Sequence, residues 1–276
     1  MTSERPVSVN VERLSCRHGV LGSGYRAVPE EVPIAFSFAG STHAVMMATP
    51  ADLEDFAVGF SLAEGIIAAR QDIASIDVVE AGPGIDVQIG LVDGRSEALT
   101  RRRRHMAGPV GCGLCGIESI EQAVRTVPDV GSSDFTLDAS DIVSAIDALN
   151  ATQTLHRETH AVHGAGYFQA GAGLLLVRED VGRHNALDKL SGAVLSAGHS
   201  GRDGAVVVTS RLSVEMVQKA AVLGAPVLIA ISAPTALAIR TAEEAGITLV
   251  AVVRGQDFEI FTHHSRINTG AVANVA

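Results

Sequence analysis

The sequence has no tryptophan, and aromatic residues make up only 4% of its 276 residues. Hydrophobic residues still account for 47% of the chain, so the core must be built from aliphatic side chains. Runs rich in valine, alanine, leucine and isoleucine are typical of buried strands. The length suits one large domain or two modest ones.

Cysteine and long apolar runs are also scarce. Three cysteines in a chain of this length exclude a disulfide scaffold. No apolar run reaches membrane-spanning length, and the N-terminal stretch MTSERPVSVNVE lacks the apolar core of a signal peptide. We therefore expect a soluble cytoplasmic protein with no membrane partner.

Positive charge is in the minority, since the formal net charge is −10. A general nucleic-acid binder needs a basic surface that releases counterions. We therefore expect no nucleic-acid partner. The local exception is the run RRRRH at 101–105.

The first half of the sequence predicts a β-rich domain with one helix opening at Pro50 and Asp52. The predicted elements are strands at 7–14, 33–38, 43–49, 76–79, 87–91 and 97–99, with a helix at 52–63. The segment 100–113 is basic and then glycine-rich, which predicts a mobile loop, and a helix at 117–127 should follow it.

The second half alternates regularly between strands and helices. The predicted strands are 162–168, 174–177, AVVVT, PVLIAIS, ITLVAVV and FEIFT, and the predicted helices are 138–149, 185–197, SVEMVQKAAVL and TALAIRTAEEA. Strands joined by helices predict a parallel sheet with right-handed crossovers. The turn-rich stretch 127–134 separates the two predicted domains, an α+β domain at 1–130 and an α/β domain at 131–276.

Polar loops follow three of these strands, at 210–213, 232–235 and 254–257. Ligands of open α/β sheets bind beyond the carboxyl ends of the strands. Free N–H groups at helix N-termini favour anions, and Arg211, Ser232 and Arg254 stand at these ends. A phosphorylated or nucleotide-like ligand fits this edge, although capped turns with solvated arginines would look the same.

A dense polar stretch, REDVGRHN at 178–185, enters the next helix. Asp180, His184 and Asn185 are well placed to recognise a ligand at the start of that helix. A surface loop with local ion pairs is the alternative, and such pairs contribute little to stability. We favour a functional loop.

The stretch GPVGCGLCG holds Cys112 and Cys115. A zinc site would need two more ligands, for which Cys16 and His18 are the compact candidates. A zinc deaminase would carry His-x-Glu before its cysteine pair, which is absent here. A thioredoxin-like site would follow a strand, and an inert pair would lie in apolar surroundings. Sulfur carriage fits better, because nearby positive charge favours the nucleophilic thiolate and glycines allow movement.

Five separate motifs occur in an order that resembles the FdhD family, the sulfurtransferase accessory proteins of formate dehydrogenase. They are GFSLAEGII, CGLCG, REDVGRHNALDK, SRLSVEMVQKA and SAPTALA, and the resemblance runs from about residue 31 to 262. It implies a C-terminal domain with a three-layer cytidine-deaminase-like fold and a mixed sheet that has lost the deaminase zinc site, so no metal is held by side chains. It also implies a smaller N-terminal α+β domain and a homodimer.

The resemblance further implies a chemistry and its partners. A cysteine desulfurase would donate sulfur as a persulfide to Cys112, the first cysteine of the motif. Cys115 is the second candidate catalytic residue, and it would share the persulfide, resolve it or only assist. The sulfur would pass to the molybdenum cofactor, bis-molybdopterin guanine dinucleotide, before its insertion into the formate dehydrogenase apoenzyme. The family's cofactor-binding stretch corresponds to Val252, Val253, Arg254, Gly255, Gln256 and Asp257. A cofactor chaperone that moves no sulfur is the second hypothesis.

Overall fold

The computed structural model describes residues 5–92, 94 and 127–270. Its strands are β1 Ser8–Arg17, β2 Val20–Pro29, β3 Val32–Phe38, β4 Ser41–Ala48, β5 Ile73–Ala81, β6 Gly84–Leu91, β7 Leu137–Asp138, β8 His163–Gln169, β9 Gly173–Asp180, β10 Ala205–Val208, β11 Val227–Ala230, β12 Thr248–Arg254, β13 Asp257–Ile260 and β14 Ile267–Asn268. Its helices are α1 Leu53–Ala63, α2 Ala139–Thr152, α3 Thr154–Thr159, α4 Arg183–Ser196, α5 Val214–Leu223 and α6 Ala236–Glu244.

The strands form four sheets in the described part of the chain. A four-stranded sheet has the order β4-β3-β6-β5, and a six-stranded mixed sheet has the order β13-β12-β11-β10-β8-β9. The pairs β1–β2 and β14–β7 form two small sheets. The predicted hairpin of β3 and β4 and the predicted parallel neighbours β10, β11 and β12 are confirmed.

The six-stranded sheet is covered on both faces because its central strands are apolar on both sides. Val207 of β10 belongs to a buried cluster with Ile142 and Leu149 of α2. Its neighbours Val206 and Val208 point the other way, into a cluster that includes α4, α5 and α6. This arrangement places α2 on one face of the sheet and α4, α5 and α6 on the opposite face.

The second cluster continues into the N-terminal sheet through α1. Phe36 of β3 stacks on Phe60 of α1 with ring centroids 4.4 Å apart, and α1 packs against α4. The two helix backbones lie so close that a Cβ on Gly59 would come within 1.7 Å of the carbonyl oxygen of Asp188. A Cβ on Gly192 would meet the carbonyl oxygen of Asp55 at 1.9 Å. One apolar core therefore runs across the predicted boundary at residue 130, and that division stays a prediction.

Several elements differ from the sequence predictions. Strand β2 and the short helix α3 were not predicted, because glycines interrupt the alternation of β2 and α3 is only six residues long. Strands β5 and β9 extend beyond their predicted bounds. The predicted strand at 97–99, the mobile loop at 100–113 and the helix at 117–127 lie outside the described residues, except for Val127.

Candidate functional site at the carboxyl edge of the six-stranded sheet

Four strands of the mixed sheet end at one edge. Strands β10, β11 and β12 are parallel neighbours. Strand β9 runs in the same direction, because β9 and β10 both pair antiparallel with β8. The polar stretch after β9 and the three polar loops therefore share the edge at which α/β sheets bind their ligands.

Three helices begin at this edge, directly after β9, β10 and β11. They are α4, α5 and α6, and each has eight or more residues. Their first N–H groups and their dipoles give this edge a positive potential. The N-cap of α4 is Gly182, which has no side chain, and the N-cap of α5, Ser213, makes no side-chain cap bond. At the start of α6, the Thr235 hydroxyl accepts a hydrogen bond from the Ala238 N–H.

Backbone hydrogen bonds hold the loops after β10, β11 and β12 together. The Leu212 N–H donates to the Ala233 carbonyl at 3.3 Å, and the Thr235 N–H donates to the Leu212 carbonyl at 2.9 Å. The Val252 N–H donates to the Ser232 carbonyl at 3.4 Å. The three loops that the sequence placed at one edge therefore form a continuous surface.

The predicted cofactor-binding residues differ in exposure. Arg211 and the turn Arg254, Gly255, Gln256 and Asp257 are exposed, while Ser232 is half-buried. Val253 is buried in the cluster that includes α2. The structure therefore leaves the polar residues of this set open to a ligand and uses the Val253 side chain for packing.

Val252 has a left-handed backbone conformation with φ of 56°. The pairing of β12 with β13 is irregular between Ala251 and Arg254. A β-branched residue in this region is a genuine outlier, and such strain is concentrated at functional sites. Sequence reasoning included Val252 through the family resemblance but had no signal for the strain.

Asp180 and Asn185 lie below this edge rather than on it. Both side chains are buried. The Asp180 carboxylate accepts hydrogen bonds from the Thr49 N–H at 3.0 Å, from Asn185 Nδ2 at 2.9 Å and from the Gly182 N–H at 2.8 Å, and it pairs with Lys189 Nζ at 2.6 Å. The side chains of Asp180 and Asn185 thus make their contacts within the protein, and the role of these two residues in cofactor binding stays a prediction.

This buried cluster fixes the start of α4 to the N-terminal sheet. Asn185 Nδ2 also donates to the Met47 carbonyl, and Lys189 Nζ donates to the Thr49 carbonyl, both at 2.9 Å. Thr49 follows β4 and lies about 130 residues before Asp180 in the chain. Sequence reasoning missed Thr49, because nothing in its neighbourhood indicates so distant a partner.

His184 lies in the first turn of α4, with Nε2 3.5 Å from Oε2 of Glu215. That distance is too long for an ordinary hydrogen bond. Burial lowers the pKa of His184 to about 4, and the positive charges of Arg183 and Lys219 add to this effect. The imidazole is therefore neutral at pH 7, and its Nε2 has no hydrogen-bond partner among the described residues.

His163 is a further residue of the edge that sequence reasoning missed. It begins β8, and its pKa is lowered by burial, then by the charges of Arg183 and His156. The adjacent Gly164 N–H donates to Thr209 Oγ1 at 3.0 Å, which joins β8 to the end of β10. Two neutral imidazoles, His163 and His184, thus accompany the arginines of this edge.

No group of three His, Cys, Asp or Glu residues suited to a metal ion occurs in the part of the chain that the structure describes. Cys16 is free and exposed on β1. Cys112 and Cys115 lie outside the described residues. Among the described helices, none combines the length and the apolar character needed to cross a membrane.

A cavity of about 430 Å³ lies away from this site, at the opposite edge of the sheet, and Arg266 and His263 are among its lining residues. Arg266 is buried and donates to the carbonyl oxygens of Gly246 and Gly131 at 2.8 and 3.0 Å. The hydrogen bonds of its guanidinium are therefore made to the protein backbone, and we take the carboxyl edge as the candidate site.

Comparisons with known proteins agree with the architecture and the motifs. The model of the FdhD/NarQ family matches residues 29–268. Sulfur carrier protein FdhD of Agrobacterium fabrum is 69% identical over 257 residues, 93% of this chain and 95% of the relative. Sulfur carrier protein FdhD of Brucella abortus is 55% identical over 97% of this chain and 99% of the relative.

A solved structure resembles the fold over nearly its whole length. It is a crystal structure from Desulfotalea psychrophila, whose protein is described as a formate dehydrogenase accessory protein. The TM-score is 0.76 at 27% identity, and the match covers 95% of this chain and 100% of the other.

Proposed function

Because this chain belongs to the FdhD/NarQ family, we propose that it carries sulfur for the maturation of formate dehydrogenase. It accepts sulfur from a cysteine desulfurase and passes it to the molybdenum cofactor before that cofactor enters the dehydrogenase. The name of its relatives, sulfur carrier protein, supports the sulfur-transfer role. The description of the Desulfotalea psychrophila protein supports formate dehydrogenase as the client.

Cys112 is the proposed carrier and Cys115 its partner cysteine. The thiolate of Cys112 attacks the outer sulfur of the desulfurase persulfide, a new S–S bond forms, and the desulfurase leaves as a thiolate. This step is an exchange with no net oxidation. The arginines at 101–104 precede the pair in sequence, and positive charge near a thiol favours the reactive thiolate.

The observation that carries the proposal is the convergence of three helix N-termini and two exposed arginines at one sheet edge. Bis-molybdopterin guanine dinucleotide is the proposed substrate there, and its phosphates suit Arg211, Arg254 and the free N–H groups. Ser232 and the turn 254–257 would contact the nucleotide. The helices on both faces of the mixed sheet are consistent with the three-layer, cytidine-deaminase-like fold that the resemblance implies.

A cofactor chaperone is the second candidate. Among the residues that the structure describes, no cysteine belongs to the carboxyl edge, so these residues could bind and escort the cofactor without moving sulfur. The two functions share the edge and differ only in whether Cys112 holds a persulfide. A test of that residue therefore separates them.

The test uses Cys112→Ser in cells that lack their own sulfur carrier. Serine is close in size but cannot form a persulfide, so we expect normal folding and cofactor binding with inactive formate dehydrogenase. Mass spectrometry should show the gain of one sulfur on the wild-type Cys112 peptide after incubation with a desulfurase and cysteine. Cys115→Ser is the matched control, and its effect should be milder if Cys115 only resolves the persulfide or assists. Full dehydrogenase activity with Cys112→Ser would favour the chaperone.

A further inference from the structure

Arg183 and His184 begin α4, and each carries a buried polar atom without a hydrogen-bond partner. These atoms are Nε of Arg183 and Nε2 of His184. In the part of the chain that the structure describes, four buried side-chain atoms lack such a partner, and two of the four belong to these neighbouring residues. Because buried polar groups are nearly always hydrogen-bonded, two orphaned atoms side by side point to a ligand at the start of α4.

The charges that act on His184 come from α4 and α5. Arg183 is its neighbour on α4, and Lys219 and Glu215 lie on α5. The charge of Lys219 is balanced, because its Nζ lies 2.6 Å from the Asp188 carboxylate. Arg183 takes part in none of the ion pairs of the described residues. It is therefore the positive charge at this end of the edge that a bound anion can compensate.

Glu215 connects His184 to the loop between β10 and α5. Its Oε2 atom accepts a hydrogen bond from Ser213 Oγ at 2.6 Å and lies 3.5 Å from Nε2 of His184. Arg211, one of the two arginines proposed to bind phosphate, stands two residues before Ser213. The start of α4 therefore adjoins the part of the carboxyl edge at which phosphates are proposed to bind.

We infer that Arg183 binds an anionic group of the ligand, and that His184 takes up a proton from solvent as this group binds. The protonated imidazole then donates from Nε2 to the Glu215 carboxylate. Nε2 is buried although 31% of the side chain is exposed, so the open side of the ring is free to face the anion. The class of ligand, a pyrophosphate diester like that of bis-molybdopterin guanine dinucleotide, rests on the proposed function.

The uptake of a proton follows from the balance of charge around the ring. In the free protein, burial holds the pKa of His184 at about 4, and the charges of Arg183 and Lys219 contribute. An anion on Arg183 offsets one of these charges and also attracts the imidazolium, so both effects raise the pKa. The protonated ring gains in addition a charged acceptor, Glu215, which stabilises the proton further.

The affinity for the anion should then depend on pH. The complex binds more protons than the free protein, so binding becomes tighter as the pH falls through the pKa of His184 in the complex. If the anion restores the ordinary pKa of 6.5, the affinity should rise about 20-fold between pH 7 and pH 5. Below the pKa of about 4 the free protein is protonated as well, and the gain levels off.

The test is calorimetric titration of the full chain with guanosine diphosphate mannose. This probe is a pyrophosphate diester and has no terminal phosphate monoester, a group that would itself titrate near pH 6. For the wild type at about pH 6, two buffers with different heats of ionisation should reveal the uptake of roughly 0.7 proton per ligand. In His184→Gln the uptake should vanish, and the affinity should change less than about twofold between pH 7 and pH 5.

Two further variants frame this result. His264→Gln removes an exposed histidine next to His263, and as the matched control it should keep the wild-type pH dependence. Arg183→Gln should weaken binding at least about tenfold at pH 7 and at pH 5, because it removes a charged hydrogen-bond donor. Circular dichroism of each variant checks that the fold is retained.

A spectroscopic measurement locates the proton. NMR of the histidine ring carbons, with the resonance of His184 assigned through His184→Gln, should show its pKa move from about 4 in the free protein to a clearly higher value with the probe bound. His163 is the other neutral imidazole near Arg183. Proton uptake that survives His184→Gln but is lost in His163→Gln would overturn the assignment to His184.

The remaining outcomes separate this inference from the proposed function. Binding of the probe without proton uptake would overturn the role of His184 and leave the carboxyl edge as the binding site. Absence of binding at every pH would overturn both. The activity of formate dehydrogenase matured with Cys112→Ser reports on sulfur transfer alone, so failure of the sulfur-carrier proposal would be visible separately.

Discussion

The ammonium group of Lys189 lies 2.6 Å from a carboxylate oxygen of Asp180, and neither side chain has any exposed surface. Lys189 belongs to α4 and Asp180 ends β9, and both reach Thr49 of the N-terminal part through hydrogen bonds. Lys189 also lies 5.5 Å from the centroid of the Phe56 ring in α1. The pair therefore joins the start of α4, and with it one side of the carboxyl edge, to the N-terminal sheet.

Breaking this pair should be costly. Lys189→Met leaves the buried charge of Asp180 without its partner, and we expect a loss of about 3–5 kcal/mol in the free energy of unfolding. The double variant Asp180→Asn/Lys189→Met should recover part of the loss, because it removes both charges. Urea denaturation followed by circular dichroism measures the effect.

The matched control for this prediction is Arg5→Met. Arg5 pairs with Glu80 at 2.5 Å, and both side chains are partly exposed. Removing such an exposed pair should lower the free energy of unfolding far less than removing the buried pair. Equal losses for Lys189→Met and Arg5→Met would contradict a special role for the buried pair.

The crossing of α1 and α4 depends on Gly59. Its Cβ would lie 1.7 Å from the Asp188 carbonyl oxygen, which belongs to helix backbone and cannot move aside cheaply. Gly59→Ala should therefore lower the free energy of unfolding by about 3 kcal/mol or more. Gly22→Ala, where a Cβ meets nothing within 4 Å, should change it by less than about 0.5 kcal/mol. Thermal unfolding of the two variants side by side would show the contrast, and similar melting temperatures would disprove the close crossing.

The lowered pKa of His184 makes stability depend on pH. In the unfolded chain this imidazole takes up a proton near pH 6.5, but in the folded protein only near pH 4. The unfolded state binds more protons between these values, so stability should be greatest above pH 6.5 and fall as the pH drops toward 4. His163, whose pKa is lowered too, contributes in the same direction.

His184→Gln isolates this contribution. We expect the wild type to lose roughly 1–3 kcal/mol more than the variant between pH 7 and pH 4, since part of the imidazole is exposed to solvent. Urea denaturation at several pH values measures the difference. A wild-type curve parallel to that of His184→Gln over this range would mean that the histidine titrates normally in the fold.

The turn after β12 should bind phosphate groups. If Arg254 makes a charge-assisted contact with a guanine nucleotide, Arg254→Ala should weaken binding by about 1.5–3 kcal/mol. Calorimetry with guanosine diphosphate measures this, and adenosine diphosphate should bind more weakly than the guanine nucleotide. Arg240→Ala, at an exposed position within α6, is the control. Unchanged affinity after Arg254→Ala would remove this residue from the site.

The sequence alone determined the alternation of the second half. The apolar strands AVVVT, PVLIAIS and ITLVAVV read correctly because strands buried on both faces must be continuously apolar. Their parallel order follows from the helices between them, and so does the shared edge of the loops at 210–213, 232–235 and 254–257. The motifs around Cys112 and at 178–189 were also sufficient to identify the family.

The tertiary structure decided which polar residues are exposed at the carboxyl edge and which are buried in the fold. Asp180, His184 and Asn185 stand within six positions of one motif, yet two of them are buried against Thr49 and Met47. The neutral state of His184 depends on burial and on Lys219, and the close crossing at Gly59 depends on α4. These properties arise from contacts between residues far apart in the chain, where local propensity and periodicity carry no information. The fold can be read from local patterns, whereas the electrostatics of the site depend on which distant groups the fold brings together.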